Sequence, residues 1–217
     1  MEKLKPLSLY KVHRSVTNFT RDGLVIEDVV SQGAELEVPV EAVVEPEYVL
    51  LVFERKITMP NHIVRLCEHL NKLLHNYGRM EKTMVFCVNQ DHALAVITEL
   101  NRLNADLNVS DYAVRIVSEE GTTGKASLEK FQNTESTTPV VASTVDLLTT
   151  GVDAPSVRNV VFVKPVSSIV SFKQIVGRGS RLCPDTEKFW FRVILAQFSL
   201  FQFIMQVICG ICKLGEY

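Results

Sequence analysis

From Pro60 onward the chain repeats one unit, a short apolar run followed by a stretch whose apolar residues recur at helical spacing. The runs are Thr83–Val88, Tyr112–Val117, Pro139–Thr144, Val157–Val163 and Lys188–Ile194. Between them lie the helical stretches Asp91–Leu103, Lys125–Gln132, the short turn Val145–Gly151, and Ser168–Gly177. Strands and helices that alternate this way have one economical solution, a parallel sheet with helices on both faces. The predicted class is therefore α/β. A further helix is predicted ahead of the first strand, where Ile63, Leu66, Cys67, Leu70, Leu73, Leu74 and Tyr77 form one stripe. Pro60 suits its first turn and Gly78 its end.

Both ends of the chain depart from this grammar. Residues 1–58 read as an irregular lead-in. Ser8–Phe19 alternates enough for a strand, while Pro39 and Pro46 break the following stretch into short extended pieces. At the other end, Val193–Cys212 is a run of twenty residues without a charge, long enough to span a bilayer. Gln197, Ser199, Gln202 and Gln206 interrupt it, and no clean flanking charge pattern accompanies it. Three readings stand for this tail: a membrane helix, a packed helix, or an unnatural end from a truncated or shifted reading frame. The expected organisation is a lead-in over 1–58, a lobe over 59–194 and an apolar tail over 195–217.

Charge limits the partners. At 217 residues with a formal charge of −2, the chain lacks the basic excess of a free-standing nucleic-acid binder. Contact with DNA then requires a local patch or a larger assembly. Five scattered cysteines favour a reducing compartment, and Met1–Arg14 has no apolar core of a signal peptide. The expected location is cytoplasmic.

The stretch Glu119–Ser127 superficially matches a phosphate-binding loop, which needs G-x-x-x-x-G-K-[ST]. Gly124-Lys125 would require glycine where Glu119 stands, and Ala126 replaces the metal-binding hydroxyl. It is read as a turn into a helix. No other such loop and no D-E-x-H or D-E-x-D pair occurs, so the chain is not expected to hold ATP and magnesium alone. Cys209-x-x-Cys212 lacks a second pair to complete a zinc site, and His62, His69 and His75 spread around a helix, so no metal site is expected.

The stretch Ser171–Arg181, SFKQIVGRGSR, follows the pattern Q-x-x-G-R-x-x-R. Two arginines three apart share a face of a helical turn, and the forked guanidinium suits phosphate oxygens. It is preceded, in order and after strands, by KTMVFCVNQDHA (Lys82–Ala93) and STVDLLTTGVDAP (Ser143–Pro155). These three segments resemble motifs IV, V and VI of superfamily 2 helicases and translocases, which lie in the second of two RecA-like lobes. The wording, including FERKI, LNADL, VRIVSEEG, LEKFQ and FWF, is similar to the motor (R, or HsdR-like) subunit of type I restriction endonucleases. The resemblance runs from about residue 8 to 194 and stops there.

That resemblance implies an ATP site held with Mg2+ chiefly on a first lobe outside this chain. Arg178 and Arg181 would be arginine fingers, and Gln174, Gly177, Gly151 and Asp153 would face the nucleotide. Asp153 would accept from the ribose or pair with Arg181. Asn89, Gln90, Thr144, Thr149 and Thr150, at predicted carboxyl ends of strands, would touch the DNA backbone, although each alone is as well read as a cap or turn residue. The implied partners are double-stranded DNA, a first RecA-like lobe, a nuclease domain, and the modification and specificity subunits of a restriction complex. The same arginines would equally serve a lobe of another superfamily 2 helicase. A non-enzymatic module, tethered to a membrane by the tail, is the remaining alternative.

Overall fold

The computed structural model describes residues 9–14, 35–36, 57–58, 60–116, 121–145, 154–164 and 169–196. Its centre is a six-stranded sheet in which every pairing is parallel. The strands are β1 (Leu9–Arg14), β4 (Thr83–Phe86), β5 (Ala113–Arg115), β6 (Val141–Thr144), β7 (Asn159–Phe162) and β8 (Trp190–Leu195), in the order β1-β8-β7-β4-β6-β5. Two further strands, β2 (Glu35–Leu36) and β3 (Ile57–Thr58), form a separate antiparallel pair. The helices are α1 (Pro60–Tyr77), α2 (Gln90–Leu103), α3 (Gly121–Gln132) and α4 (Ile169–Gly179).

The expected parallel sheet is present, and the pleat explains why its strands read as continuous apolar runs. Successive side chains point to opposite faces, and both faces are covered. Met84, Phe86, Ala142, Val160, Phe162 and Val193 pack on one face with Phe131 of α3 and Phe172, Ile175 and Val176 of α4. Val85, Cys87, Val141, Val161, Val163 and Ile194 pack on the other with Leu66, Leu70 and Leu74 of α1 and Ala93, Val96 and Leu100 of α2. Phe86, Phe162 and Phe172 form a run of rings with 5.5 Å between successive centroids. Burying each contributes about 1.5–3 kcal/mol, and ring pairing adds to that.

Helix α1 starts at Pro60 and stops where expected. Gly78 has φ of 143°, a conformation natural to glycine, and its N–H closes the last turn on the Leu74 carbonyl at 2.9 Å.

Three expectations need correction. The strand expected within Ser8–Phe19 is present as β1, but it is not part of an irregular lead-in: it belongs to the main sheet, paired along its whole length with β8. The stretch containing Gly124 and Lys125 is not a turn but lies inside α3, which begins at Gly121. The apolar run from Val193 is not one segment, because Val193, Ile194 and Leu195 belong to β8 and are buried. Ala196 continues the pairing, its N–H bonding the Phe162 carbonyl at 3.0 Å. Among the described residues no helix is long and apolar enough to cross a membrane. The rest of the tail, from 197, lies outside the described residues, as does the predicted helical turn at 146–151.

Candidate functional site

Helix α4 carries the arginine motif, and its two faces differ completely. Phe172, Ile175, Val176 and Gly179, at i, i+3, i+4 and i+7, turn inward onto the sheet. Val170, Lys173, Gln174 and Gly177 turn outward and are exposed, and exposed Arg181 follows two residues beyond the helix. Gln174, Gly177 and Arg181 thus fall on one outward stripe.

The two glycines of this helix have opposite surroundings. A Cβ built on Gly177 would meet nothing within 4 Å. No described part of this chain therefore packs against that position. A Cβ on Gly179 would lie 2.8 Å from Val160 Cγ2 and 3.1 Å from the Phe191 ring. Gly179 is what lets the end of α4 seat against the second residues of β7 and β8.

Past the helix the chain is tied down by Lys188, whose side chain is fully buried. Its Nζ donates to the carbonyls of Gly179 at 2.8 Å and Pro155 at 2.7 Å and lies 5.7 Å from the centre of the Phe191 ring. Burial pushes the ammonium down to about 8, opposed by Cys183 and assisted by Arg158. The peptide of Lys188 bonds reciprocally with Cys183, at 3.0 and 3.2 Å, closing a hairpin around the short 3-10 turn Pro184–Thr186. Arg158 donates to the Thr186 carbonyl and so ties this turn to the start of β7.

A second group gathers at the carboxyl ends of β4 and β6. These strands are neighbours, with Phe86 opposite Thr144 and the Cys87 N–H bonded to the Thr144 carbonyl at 2.8 Å. Asn89 caps α2, its side-chain oxygen accepting from the His92 N–H at 2.8 Å. Asn89 is exposed and Gln90 half-buried, whereas Thr144 is buried and its hydroxyl has no hydrogen-bond partner among the described residues. Lys164, just past β7, donates to the Val145 carbonyl at 2.6 Å.

Of the predicted site residues, the structure brings Gln174, Gly177 and Arg181 together on α4 and the turn after it, and Asn89, Gln90 and Thr144 together at the strand ends. The end of α4 lies against Val160 and Phe191, the second residues of β7 and β8, whereas Thr144 sits level with Phe162, two residues or about 7 Å further along the strands. Gly151, Asp153, Thr149 and Thr150 lie outside the described residues, so the Asp153–Arg181 pairing does too. The backbone of Arg178 belongs to α4. Among the described residues no cluster of His, Cys, Asp or Glu could hold a metal ion.

Sequence reading missed Lys188, Gly179 and Arg192. Arg192 donates to Glu81 Oε2 at 2.5 Å and to the Asn159 side chain at 3.1 Å, and its guanidinium carbon lies 4.2 and 4.4 Å from the centres of the Tyr77 and Trp190 rings. A charged residue inside an otherwise apolar strand run was the available signal for Arg192, whereas Lys188 stands at the edge of its run, next to Glu187, and carried no such signal.

Comparison with known proteins follows the same outline. Residues 64–183 match the family described as helicase conserved C-terminal domain. The endonuclease subunit of the Escherichia coli type I restriction enzyme EcoAI is 34% identical over 143 residues, which is 65% of this chain and 18% of that protein. The corresponding subunit of EcoKI from Escherichia coli K12 is 30% identical over 177 residues, 79% of this chain and 15% of that protein. The chain thus spans less than a fifth of the length of these relatives. A solved fragment assigned to the HsdR subunit of a type I restriction enzyme from Vibrio vulnificus YJ016 superimposes with a TM-score of 0.67 at 37% identity, covering 90% of this chain and 33% of that one. T4 UvsW shares the fold, with a TM-score of 0.52 at 14% identity over 88% of this chain and 33% of its own. With its parallel RecA-like sheet and its arginine helix in place, this chain belongs to the helicase conserved C-terminal domain family, alongside the R subunits of type I restriction enzymes.

Proposed function

We propose that the chain is the second motor lobe of an ATP-dependent double-stranded DNA translocase of a type I restriction–modification system. Its task is to complete an ATP site whose phosphate loop and Mg2+ ligands belong to a first lobe. The observation that carries this reading is the outward stripe of α4. Gln174, Gly177 and Arg181 are presented away from this chain's own core on a helix seated firmly by Gly179.

A guanidinium on such a stripe meets phosphate oxygens only when a second body closes over it. Arg181 and Arg178 then supply positive charge to the phosphoryl group as it transfers, with no reorganisation during the step. Flat, exposed Gly177 leaves room for that second body, and Gln174 positions the nucleotide. Gly151 and Asp153 of the preceding segment complete the nucleotide side. Asn89, Gln90 and Thr144 at the strand ends, together with Thr149 and Thr150, meet DNA phosphates. Such contacts fix position and read little sequence. Sequence is then read by a separate specificity subunit, and the complex works in the cytoplasm with a nuclease domain and modification subunits.

The test joins this chain behind a lobe carrying the phosphate loop and measures ATP hydrolysis with and without duplex DNA. DNA-stimulated turnover by the two lobes, and none by this chain alone, is the expected result. Turnover by the purified single lobe would overturn the proposal.

A further inference from the structure

The residues of the Q-x-x-G-R-x-x-R pattern do not by themselves explain how the turn that carries Arg181 is fixed. Arg181 sits in the four-residue step from Gly179, the last residue of α4, to Cys183. One residue grips both ends of that step. The Lys188 ammonium takes the Gly179 carbonyl, and the Lys188 peptide exchanges two hydrogen bonds with Cys183. The same ammonium takes the Pro155 carbonyl, from the segment leading into β7.

A fully buried lysine is rare, and methionine would fill a similar volume without burying a charge. What methionine could not do is donate to two carbonyls from different segments. Lysine has three donors, and here two meet carbonyls while the ammonium also lies by the face of Phe191. The Gly179 carbonyl stands at the C-terminus of α4, where the helix dipole favours a cation.

We propose that Lys188 is the positioning residue for Arg181, fixing the turn 179–183 at both ends and locking it to the segment before β7. It touches neither nucleotide nor DNA. The functional meaning of this lock rests on the arginine reading above, but its geometry does not.

The test has two arms. In the full chain, nuclear magnetic resonance of the Lys188 ammonium should correlate it with the Gly179 and Pro155 carbonyl carbons. Failure to find either correlation would overturn the proposal without any substitution. Lys188→Met should raise backbone amide exchange across Ser180–Cys183 by about ten- to hundred-fold while amides of β4 and β7 stay near their original rates. A uniform rise everywhere would mean a merely structural lysine and would overturn it.

In the two-lobe protein, Lys188→Met should lower kcat about tenfold or more with KM for ATP unchanged. It should add little in an Arg181→Ala background, because both changes remove the same contribution. If Arg181→Ala cripples turnover and Lys188→Met does not, the positioning role fails and the motor-lobe reading stands. If Arg181→Ala itself is harmless, the motor-lobe reading fails, whatever the exchange data give.

Discussion

Two glycines two residues apart in α4 should respond to alanine with opposite signs. Gly177 is exposed, and a Cβ there meets nothing within 4 Å. Alanine therefore gains helix propensity and restricts the unfolded chain, a stabilisation of about 0.5–1 kcal/mol. At Gly179 the same methyl would press on Val160 Cγ2 at 2.8 Å and on the Phe191 ring at 3.1 Å. Val160 is 1% exposed and Phe191 0%, so neither has free space to retreat into. Overpacking of this kind costs about 1–3 kcal/mol, which outweighs the propensity gain at a helix end and leaves a net loss of about 0.5–2 kcal/mol. Urea unfolding followed by circular dichroism reads both as shifts of the midpoint at constant slope. In the two-lobe protein Gly177→Ala should lower turnover although the chain is more stable, because the methyl stands where the second body approaches. A destabilised Gly177→Ala chain would refute the open-face reasoning. A Gly179→Ala chain as stable as the parent would show that tight seating on β7 and β8 is not what places α4.

Other outcomes follow from the same packing. Lys188 and Lys82 are both buried with their ammonium groups pushed down to about 8, mainly by burial. Between about 8 and the ordinary lysine range the unfolded chain holds more protons than the folded one, so each lysine makes stability rise with pH across that window. The penalty is complete below it, and the slope approaches about 1.4 kcal/mol per pH unit for each lysine. Unfolding free energies from pH 7 to 10.5 should show this rise in the parent and a flatter profile in Lys82→Met; identical profiles would count against it. A chain ending after Ala196 should keep the sheet, whereas one ending after Arg192 should lose it, since Val193, Ile194 and Leu195 are core residues of β8. Limited proteolysis and circular dichroism separate these cases, and an intact fold in the shorter chain would contradict the assignment.

The parallel sheet was legible because strands buried on both faces leave a plain mark, runs such as Thr83–Val88 and Val157–Val163. The bounds of α1 were legible because Pro60 and Gly78 act through local backbone preferences. The place of β1 was not legible, since a six-residue strand beside β8 is fixed by pairing across 181 residues, as between Leu9 and Trp190. The strand over Lys188–Ile194 was legible, but local pattern did not show where it ends and the apolar tail begins, because an apolar run reads alike as strand, core helix or span. For the candidate site, the pattern Q-x-x-G-R-x-x-R singled out Gln174, Gly177 and Arg181, and the resemblance, not the spacing, supplied the role proposed for them. Asn89 was found as a strand-end residue, and its capping bond is the local chemistry of that position. Lys188 escaped because its importance lies in two carbonyls, 9 and 33 residues away in sequence.

The most direct measurement of the central claim is DNA-stimulated ATP turnover in the two-lobe protein with Arg181→Ala and Arg178→Ala. Loss of an arginine that stabilises phosphoryl transfer costs about 10³–10⁵-fold in rate, so each variant should fall by a factor in or near that range while melting close to the parent. Arg181→Lys should recover little, because a point charge cannot make the forked contact. Variants that hydrolyse ATP at near-parental rates would contradict the claim that this helix completes the nucleotide site.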